Sequence, residues 1–220
     1  MRIAIDGPAG AGKTSTAKCV AKELGIPYYD TGALYRVFAL YCMDKGIDFG
    51  SVNVPFDRIF EDIHIVQDHG IFLNDEDVTD KIRTDEISQL ASKWSSLQEV
   101  RDGLMSIQKQ AAKGNVVMEG RDIGSVIIPD AEIKIFLTAD VHDRAARRMM
   151  DLLRSGCKVT YHSVLDEIKE RDLRDKTRKV APLKATPDAY YLDNSQLSFE
   201  QTVAIIVGLA KTYGTHSDAI

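Results

Sequence analysis

The chain contains 220 residues, of which 44% are hydrophobic, 28% are charged and 7% are aromatic. This composition excludes a disordered or fibrous protein, and the length permits one α/β domain with a small inserted subdomain. A net charge of −5 argues against generic binding to nucleic acid, and no apolar run reaches the ~20 residues that span a bilayer.

The cysteines and the start of the chain indicate the cellular compartment. Cys19, Cys42 and Cys157 lie far apart and form no CxxC pair, which is typical of reduced intracellular thiols. A β-type run begins at Arg2 and leaves no room for a signal peptide. We therefore expect a cytoplasmic monomer that binds neither a membrane nor nucleic acid.

The first motif is GPAGAGKT at 7–14, which matches the phosphate-binding pattern G-x-x-x-x-G-K-[ST]. It follows a β-type run at 2–6 and precedes a helical run at 15–24, the order that a P-loop requires. Lys13 is expected to contact the β- and γ-phosphates, and the Thr14 hydroxyl to bind Mg²⁺. The predicted ATP-binding residues are Gly7, Pro8, Ala9, Gly10, Ala11, Gly12, Lys13, Thr14 and Ser15.

The pattern changes after the next strand and helix. Residues 26–30 predict an edge strand, and Thr31 is expected to cap a helix that ends near Gly46. Alternating residues at 63–67 and the run at 71–73 then predict a small antiparallel meander. A meander interrupts the alternation of strands and helices, which indicates an inserted subdomain.

The insert divides the chain into three predicted parts. We place the insert, with a helix at about 85–95, at 57–100. The P-loop core comprises 1–56, 101–153 and 172–220, and a lid comprises 154–171.

Short apolar strands alternate with helices in the second half of the chain. Strands are predicted at 116–118, 133–137 and 189–193, and helices at 96–114, 141–154, 163–175 and 198–213. Capping boxes at Ser96–Glu99 and Ser198–Gln201 begin two of these helices. Apolar runs bounded by turns are typical of a parallel sheet covered on both faces. The predicted fold class is α/β: a five-stranded parallel sheet flanked by helices, with an antiparallel insert and a helical lid.

Two neighbouring helices each carry three arginines on one face: Arg144, Arg147 and Arg148, then Arg171, Arg174 and Arg178. Arginines stabilise the charge on phosphoryl oxygens during transfer, so these helices are expected to close over a bound triphosphate. The alternative is a solvated face whose arginines pair with Glu167, Glu170 and Asp172.

Charged residues also follow the predicted strands at 26–30 and 116–118. They lie at the carboxyl ends of these strands, where α/β proteins bind ligands. The cluster Glu119–Asp122 is expected to bind substrate or the water shell of Mg²⁺; a turn with a salt bridge is the alternative. Arg36 lies near the start of a helix, where a cation is unfavourable unless an anion binds nearby. Asp6 and Asp193 are interpreted as structural.

The P-loop, DTGALYR, EGRDIG, KIFLTA, an RRM-containing helix and RDLRDKTRKVAPL, in this order, resemble the bacterial cytidylate kinases from Ile3 to about Asp193. The resemblance implies a pyrimidine-metabolism enzyme that transfers the γ-phosphoryl group of ATP to CMP or dCMP, with Mg²⁺, giving ADP and the diphosphate. It implies four catalytic residues: Lys13, Arg121, Arg148 and Arg178.

The resemblance also implies the acceptor site. It assigns CMP to Thr31, Tyr35, Arg36, Ser92, Arg101, Arg121, Asp122, Arg171, Asp175 and Arg178. The arginines that match monophosphate-binding positions are Arg36, Arg121 and Arg178. The residues that match positions around the sugar are Tyr35, Arg171 and Asp175. The residues that match cytosine-binding positions are Ser92, Arg101 and Asp122. An ionised carboxylate at 122 would repel the O4 of uracil and favour cytosine.

Glu119 and Thr31 stand where many members of that family have Asp and Ser, and each keeps the functional group. Two other functions stay open from the sequence. A nucleotide-sensing P-loop protein would bind ATP without acceptor-dependent turnover, and the insert would be its partner surface. A small-metabolite kinase of the same fold would lack the cytosine-binding residues.

Overall fold

The computed structural model describes residues 1–154 and 156–217, without the side chains of 215–217. Ser155, in the predicted lid, lies outside the described residues. The strands are β1 Arg2–Asp6, β2 Tyr28–Asp30, β3 Ile65–Gln67, β4 Ile71–Leu73, β5 Glu76–Asp77, β6 Val116–Gly120, β7 Ile133–Thr138 and β8 Tyr190–Asp193. The α-helices are α1 Lys13–Leu24, α2 Thr31–Asp44, α3 Phe56–Asp62, α4 Asp85–Trp94, α5 Gln98–Ala111, α6 Val141–Arg154, α7 Tyr161–Thr177 and α8 Phe199–Ser217.

The chain divides into two compact units, each described here by itself. The first unit comprises Met1–Tyr29 and Ala111–Ile220, and the second comprises Asp30–Gln110. The second unit includes the predicted insert at 57–100, whose own boundaries stay a prediction.

A five-stranded sheet with the order β2-β6-β1-β7-β8 forms the centre of the first unit. β1 pairs in parallel with β6 and β7, and β8 pairs in parallel with β7. Asp6 is in register with Gly120 and Phe136, so the carboxyl ends of three central strands meet at one edge. The loop after β1 and the charged turn after β6 therefore begin side by side. The predicted fold class is confirmed.

The central strands are buried because helices cover them. Ile3, Ile5, Val117, Ile135 and Leu137 form one apolar cluster with residues of α1 and α8. Such strands appear in the sequence as nearly continuous apolar runs, which is why they were predictable.

The second unit is built around aromatic side chains. Trp94 is 1% exposed and lies edge-on to Phe38 and Phe56, with ring centroids 5.5 and 6.3 Å away. Phe60 packs over Gly103, where an added Cβ would overlap the Phe60 ring. Phe56 and Phe60 belong to α3, which the sequence analysis did not predict. A helix of 7 residues is too short for its period to be recognised.

The predicted meander is present, as antiparallel pairs of β4 with β3 and with β5. Ile65 faces Leu73 and Gln67 faces Ile71 across the first pair. The predicted turn between these strands lies at 68–70. This three-stranded sheet is separate from the parallel sheet of the first unit.

Of the two predicted capping boxes, the one at Ser96–Glu99 is wrong, because α5 begins at Gln98 and the Ser96 hydroxyl donates to the Lys93 carbonyl at 2.7 Å. The Ser198 hydroxyl accepts from the Gln201 N–H at 3.1 Å, and the Gln201 side chain accepts from the Ser198 N–H at 2.8 Å, which confirms this cap. α7 starts at Tyr161, before the predicted residue 163, because the Thr160 side chain accepts from the Ser163 N–H.

Several other helix ends differ from prediction. Thr31 does not cap α2: the Asp30 carboxylate does, accepting from the Ala33 N–H at 2.9 Å, and Thr31 is the first helical residue. α5 ends at Ala111 rather than near 114, and α8 continues to Ser217 beyond the predicted end at Tyr213. None of the described helices is both long and apolar enough to cross a membrane.

Candidate active site

The loop between β1 and α1 has the backbone shape of a phosphate-binding loop. A Cβ at Gly7 would overlap the carbonyl oxygen of Leu137, so only glycine fits there. Gly10 and Gly12 have φ values of 73° and 85°, in the left-handed region that favours glycine. The loop ends at the N terminus of α1, where free N–H groups and the helix dipole favour an anion.

Lys13, the first residue of α1, is 5% exposed, and its Nζ donates to the Pro8 carbonyl oxygen at 2.7 Å. Burial, together with the nearby charges of Arg121 and Arg171, lowers the pKa of Lys13 to about 7 against the opposing effect of Glu119. A bound polyanion would favour the ammonium form. The lysine is therefore suited to bind phosphate.

A hydroxyl and a carboxylate lie together beside the loop. The Thr14 Oγ1 donates to Glu119 Oε1 at 2.5 Å, and the Tyr28 hydroxyl donates to the same oxygen at 3.1 Å. In the described part of the chain, no group of three or more His, Cys, Asp or Glu residues could hold a metal ion by itself. One carboxylate and one hydroxyl fit Mg²⁺, which binds oxygen and takes its other ligands from water and nucleotide phosphates.

Two ion pairs with buried carboxylates follow β6 in the first unit. The Arg121 Nε donates to Asp175 at 2.8 Å, and Arg178 lies 3.4 Å from Asp122. Burial opposes the ionisation of Asp175, but Arg121, Arg171 and Arg178 hold its pKa below the usual range. The structure thus brings the predicted residues Arg121, Asp122, Asp175 and Arg178 together around two charge pairs.

Asp6 positions the turn that follows these residues. Its carboxylate accepts from the N–H groups of Ile123 and Gly124, both at 2.8 Å, at the start of a π-helical turn over Ile123–Ile127. Burial raises the pKa of Asp6 to about 6, although these two hydrogen bonds favour the ionised form. Asp6 thus contributes to the local structure, as interpreted from the sequence.

The second unit has its own cluster of arginines. Arg83 forms a 3.0 Å ion pair with the buried Asp30, and Arg36 lies 4.0 Å from the same carboxylate. The Gln67 amide bonds to both backbone groups of Asp30. The sequence did not predict Arg83 as a partner of Asp30, because Arg83 belongs to no recognised motif. Its position in the predicted insert was the one indication of a role there.

The predicted cytosine-binding residues of this unit are buried. Ser92 is 5% exposed and Arg101 is 2% exposed. The Arg101 guanidinium lies over the ring of Tyr35, with 5.6 Å to the centroid, and donates to the Ser95 carbonyl at 3.3 Å. Thr31 is also buried. The roles of these residues toward a nucleotide stay predictions.

Some arginines of α6 and α7 bond to other residues of the protein, although the sequence predicted that they face a triphosphate. Arg144 is buried and bonds to Asp172 at 2.6 Å, and Arg174 pairs with Glu170 at 2.6 Å. The pair of Arg174 with the exposed Glu170 is the predicted alternative of a solvated face, whereas Arg144 pairs with the predicted partner Asp172 inside the protein. Arg147 donates to Asn194, which follows β8. The catalytic role of Arg148 stays a prediction.

A phosphate-binding loop at the carboxyl edge of a parallel sheet, beside a carboxylate and buried arginines, defines a P-loop phosphotransferase. A solved structure of an uncharacterised protein from Eubacterium ventriosum shares the fold, with a TM-score of 0.54 at 16% identity, covering 96% of this chain and 98% of the other.

The family follows from the comparison of sequences. A model of the cytidylate kinase family matches residues 3–212. The cytidylate kinase of Carboxydothermus hydrogenoformans is 46% identical over 210 residues, which cover 93% of this chain and 94% of the relative. That of Caldicellulosiruptor saccharolyticus is 44% identical over 214 residues, which cover 95% of each. The chain therefore belongs to the cytidylate kinase family, which confirms the predicted resemblance.

Proposed function

We propose that the protein transfers the γ-phosphoryl group of ATP to CMP or dCMP, giving ADP and CDP or dCDP. The observation that carries this proposal is the arrangement in the first unit. Glu119 on β6 bonds to Thr14 of the donor loop, and the two residues that follow β6 are held in ion pairs whose carboxylates are buried. The donor loop thus lies beside arginines that suit a second phosphate, and family membership supports the pairing.

The chemistry requires positioning and electrostatic stabilisation more than proton transfer. The attacking oxygen belongs to an anionic phosphate, so no strong general base is needed. The loop N–H groups and Lys13 are proposed to stabilise the β- and γ-phosphates, and Arg121 and Arg178 the acceptor phosphate. Thr14 and Glu119 would hold Mg²⁺, which supplies positive charge at the transferring phosphoryl group.

Selectivity for cytosine is proposed to depend on Asp122. Arg178 lies 3.4 Å from this carboxylate. An ionised carboxylate accepts from the N4 amino group of cytosine and repels the O4 of uracil. For Ser92 and Arg101 the proposed role in base recognition rests on the family resemblance. Closure of the lid at 154–171 would exclude water and limit hydrolysis of ATP.

A coupled assay of ADP release tests the proposal. With Mg²⁺ and ATP, we expect turnover with CMP and dCMP, and much less with UMP, AMP or GMP. Turnover with AMP or GMP but not with CMP would contradict it. ATP binding without acceptor-dependent turnover would favour a nucleotide sensor instead. The proposed setting is pyrimidine nucleotide metabolism in the cytoplasm, as a monomer.

A further inference from the structure

One residue of the donor loop is bonded on both of its backbone groups by helices that follow much later in the chain. The Ala9 N–H donates to Asp172 Oδ1 of α7 at 3.1 Å, and its carbonyl accepts from Arg144 Nη1 of α6 at 2.8 Å. The same Nη1 donates to Asp172 Oδ2 at 2.6 Å. Each of these two residues is 6% exposed. Arg144 and Asp172, here called the Ala9 pair, therefore bond to one loop peptide as a buried unit.

A second contact lies two residues further along the loop. The Asn194 Nδ2 donates to the Ala11 carbonyl at 3.1 Å. Arg147, one turn after Arg144 on α6, donates to the Asn194 side chain at 2.9 Å and to its carbonyl at 3.0 Å. Gly10 lies between the two bonded residues, and a Cβ there would come within 3.0 Å of the Arg144 carbonyl oxygen. The loop thus lies against α6 at Ala9 and Gly10, and Asn194 connects Ala11 to Arg147 of the same helix.

These contacts have a physical consequence for phosphate binding. Ordering a flexible loop costs conformational entropy at every residue, and the nucleotide would otherwise have to supply that free energy. Asp172 accepts from the Ala9 N–H while Arg144 donates to its carbonyl, and together these two bonds fix the orientation of the peptide. Because Arg144 neutralises Asp172, a carboxylate can lie behind the loop without repelling a triphosphate on its other side.

We propose that Arg144 and Asp172 are positioning residues for the donor nucleotide, which set the shape of the loop through Ala9 and do not touch the substrate. This inference rests on the proposed function for the identity of the nucleotide. It differs from the expectation that the arginines of α6 close over ATP, because Arg144 acts from behind the loop.

A double-mutant cycle on ATP affinity tests the inference. The variants are Asp172→Asn, which keeps an acceptor for the Ala9 N–H but removes the charge, Arg144→Met, and the two combined. Calorimetry with a non-hydrolysable ATP analogue and Mg²⁺ measures Kd, and steady-state assays measure the KM values for ATP and CMP. The matched control is Glu170→Gln, which removes one negative charge from the exposed face of α7.

Each single variant is expected to weaken binding of the ATP analogue on the order of tenfold, because a buried charge loses its partner. The double variant should lose about as much as either single variant, since the pair acts as a unit. The KM for CMP should change by less than about twofold, and Glu170→Gln should bind the analogue like the parent protein. Amide exchange of the loop segment 7–12 should become faster in the single variants while β1 and β7 stay protected.

The results that would overturn the inference are distinct. A lower melting temperature with unchanged Kd for the analogue would mean that the pair is only structural. Equal losses for ATP and CMP, or additive losses in the double variant, would also contradict it. Because Kd is measured without an acceptor, a parent protein that binds ATP but does not phosphorylate CMP would refute the proposed function and leave this inference standing.

Discussion

The two compact units place their charged residues in different surroundings. In the first unit, Lys13 and Asp175 are buried, Arg121 is partly buried with 18% of its side chain exposed, and the ionisation of these groups depends on one another. In the second unit, the side chains of Arg36 and Arg83 are 20% and 36% exposed around one buried carboxylate. Charges that are desolvated interact strongly, whereas water screens exposed charges. The first unit is therefore built to respond to a bound polyanion, and single substitutions there should have larger effects.

The largest effect is expected from Asp175→Asn. This change removes the charge of Asp175, which is 3% exposed and lies 2.8 Å from Arg121 and near the charges of Arg171 and Arg178. Removing a buried carboxylate that neutralises three arginines should lower the free energy of unfolding by about 3–5 kcal/mol. Urea denaturation followed by circular dichroism measures it. Glu170→Gln, which breaks an exposed pair on the same helix, serves as the control and should change stability by less than ~1 kcal/mol. Equal effects of the two substitutions would remove the distinction between buried and exposed charges.

Lys13→Met should affect catalysis strongly and stability little. Loss of a preorganised cation at the transferring group should lower kcat by about 10²–10³-fold. The melting temperature should not fall, because the change removes a buried ammonium that lies near the charges of Arg121 and Arg171. Steady-state kinetics and thermal unfolding on the same preparation separate the two effects. A variant with parental kcat would exclude Lys13 from the chemistry.

The lowered pKa of Lys13 predicts that ATP binding takes up a proton. Above pH 7, near the pKa of about 7 in the free protein, the amine is increasingly neutral, while bound phosphates favour the ammonium form. The affinity for ATP should therefore fall as pH rises above about 7, by at most tenfold per pH unit for a single proton. Calorimetry in two buffers of different ionisation enthalpy counts the protons. Lys13→Arg keeps the charge but does not titrate, so its affinity should lose this dependence.

The smallest effect is expected in the second unit, from Arg83→Gln. Asp30 keeps a second arginine, Arg36, at 4.0 Å, and the pair that is lost is partly exposed. The free energy of unfolding should fall by less than ~1 kcal/mol. Urea denaturation of this variant and of Asp175→Asn under the same conditions compares the two losses directly. A loss as large as that of Asp175→Asn would show that exposure is the wrong criterion.

The sequence was most informative where one short segment contains the whole signal. The phosphate-binding loop, the capping box of Ser198 and Gln201, and the apolar strands at 116–118 and 133–137 needed no knowledge of distant residues. The prediction of the residue that caps α2 was wrong, because two adjacent residues suit that position equally well from the sequence. Thr31 and Asp30 are neighbours that can both cap a helix, and tertiary contacts of Asp30 with Arg83 and Gln67 accompany the choice of the carboxylate.

Helical spacing placed Arg144, Arg147 and Arg148 on one side of α6, but it did not determine what that side contacts. Arg144 contacts Ala9, which is 135 residues earlier in the chain. Arg147 contacts Asn194, 47 residues later. A local period contains no information about such partners, so the arginines were expected to face a ligand when two of them in fact bond to the protein.

The amino-acid sequence by itself determined the family, the α/β class and the position of the donor loop, because glycine spacing and apolar runs are local consequences of backbone sterics and burial. Only the tertiary structure decided which groups the buried carboxylates bind. Glu119 accepts from the Thr14 hydroxyl, Asp6 from the N–H of Ile123, and Asp172 from the N–H of Ala9. The physical reason is that parallel strands bring their carboxyl ends to one edge, so side chains more than 100 residues apart share one desolvated environment.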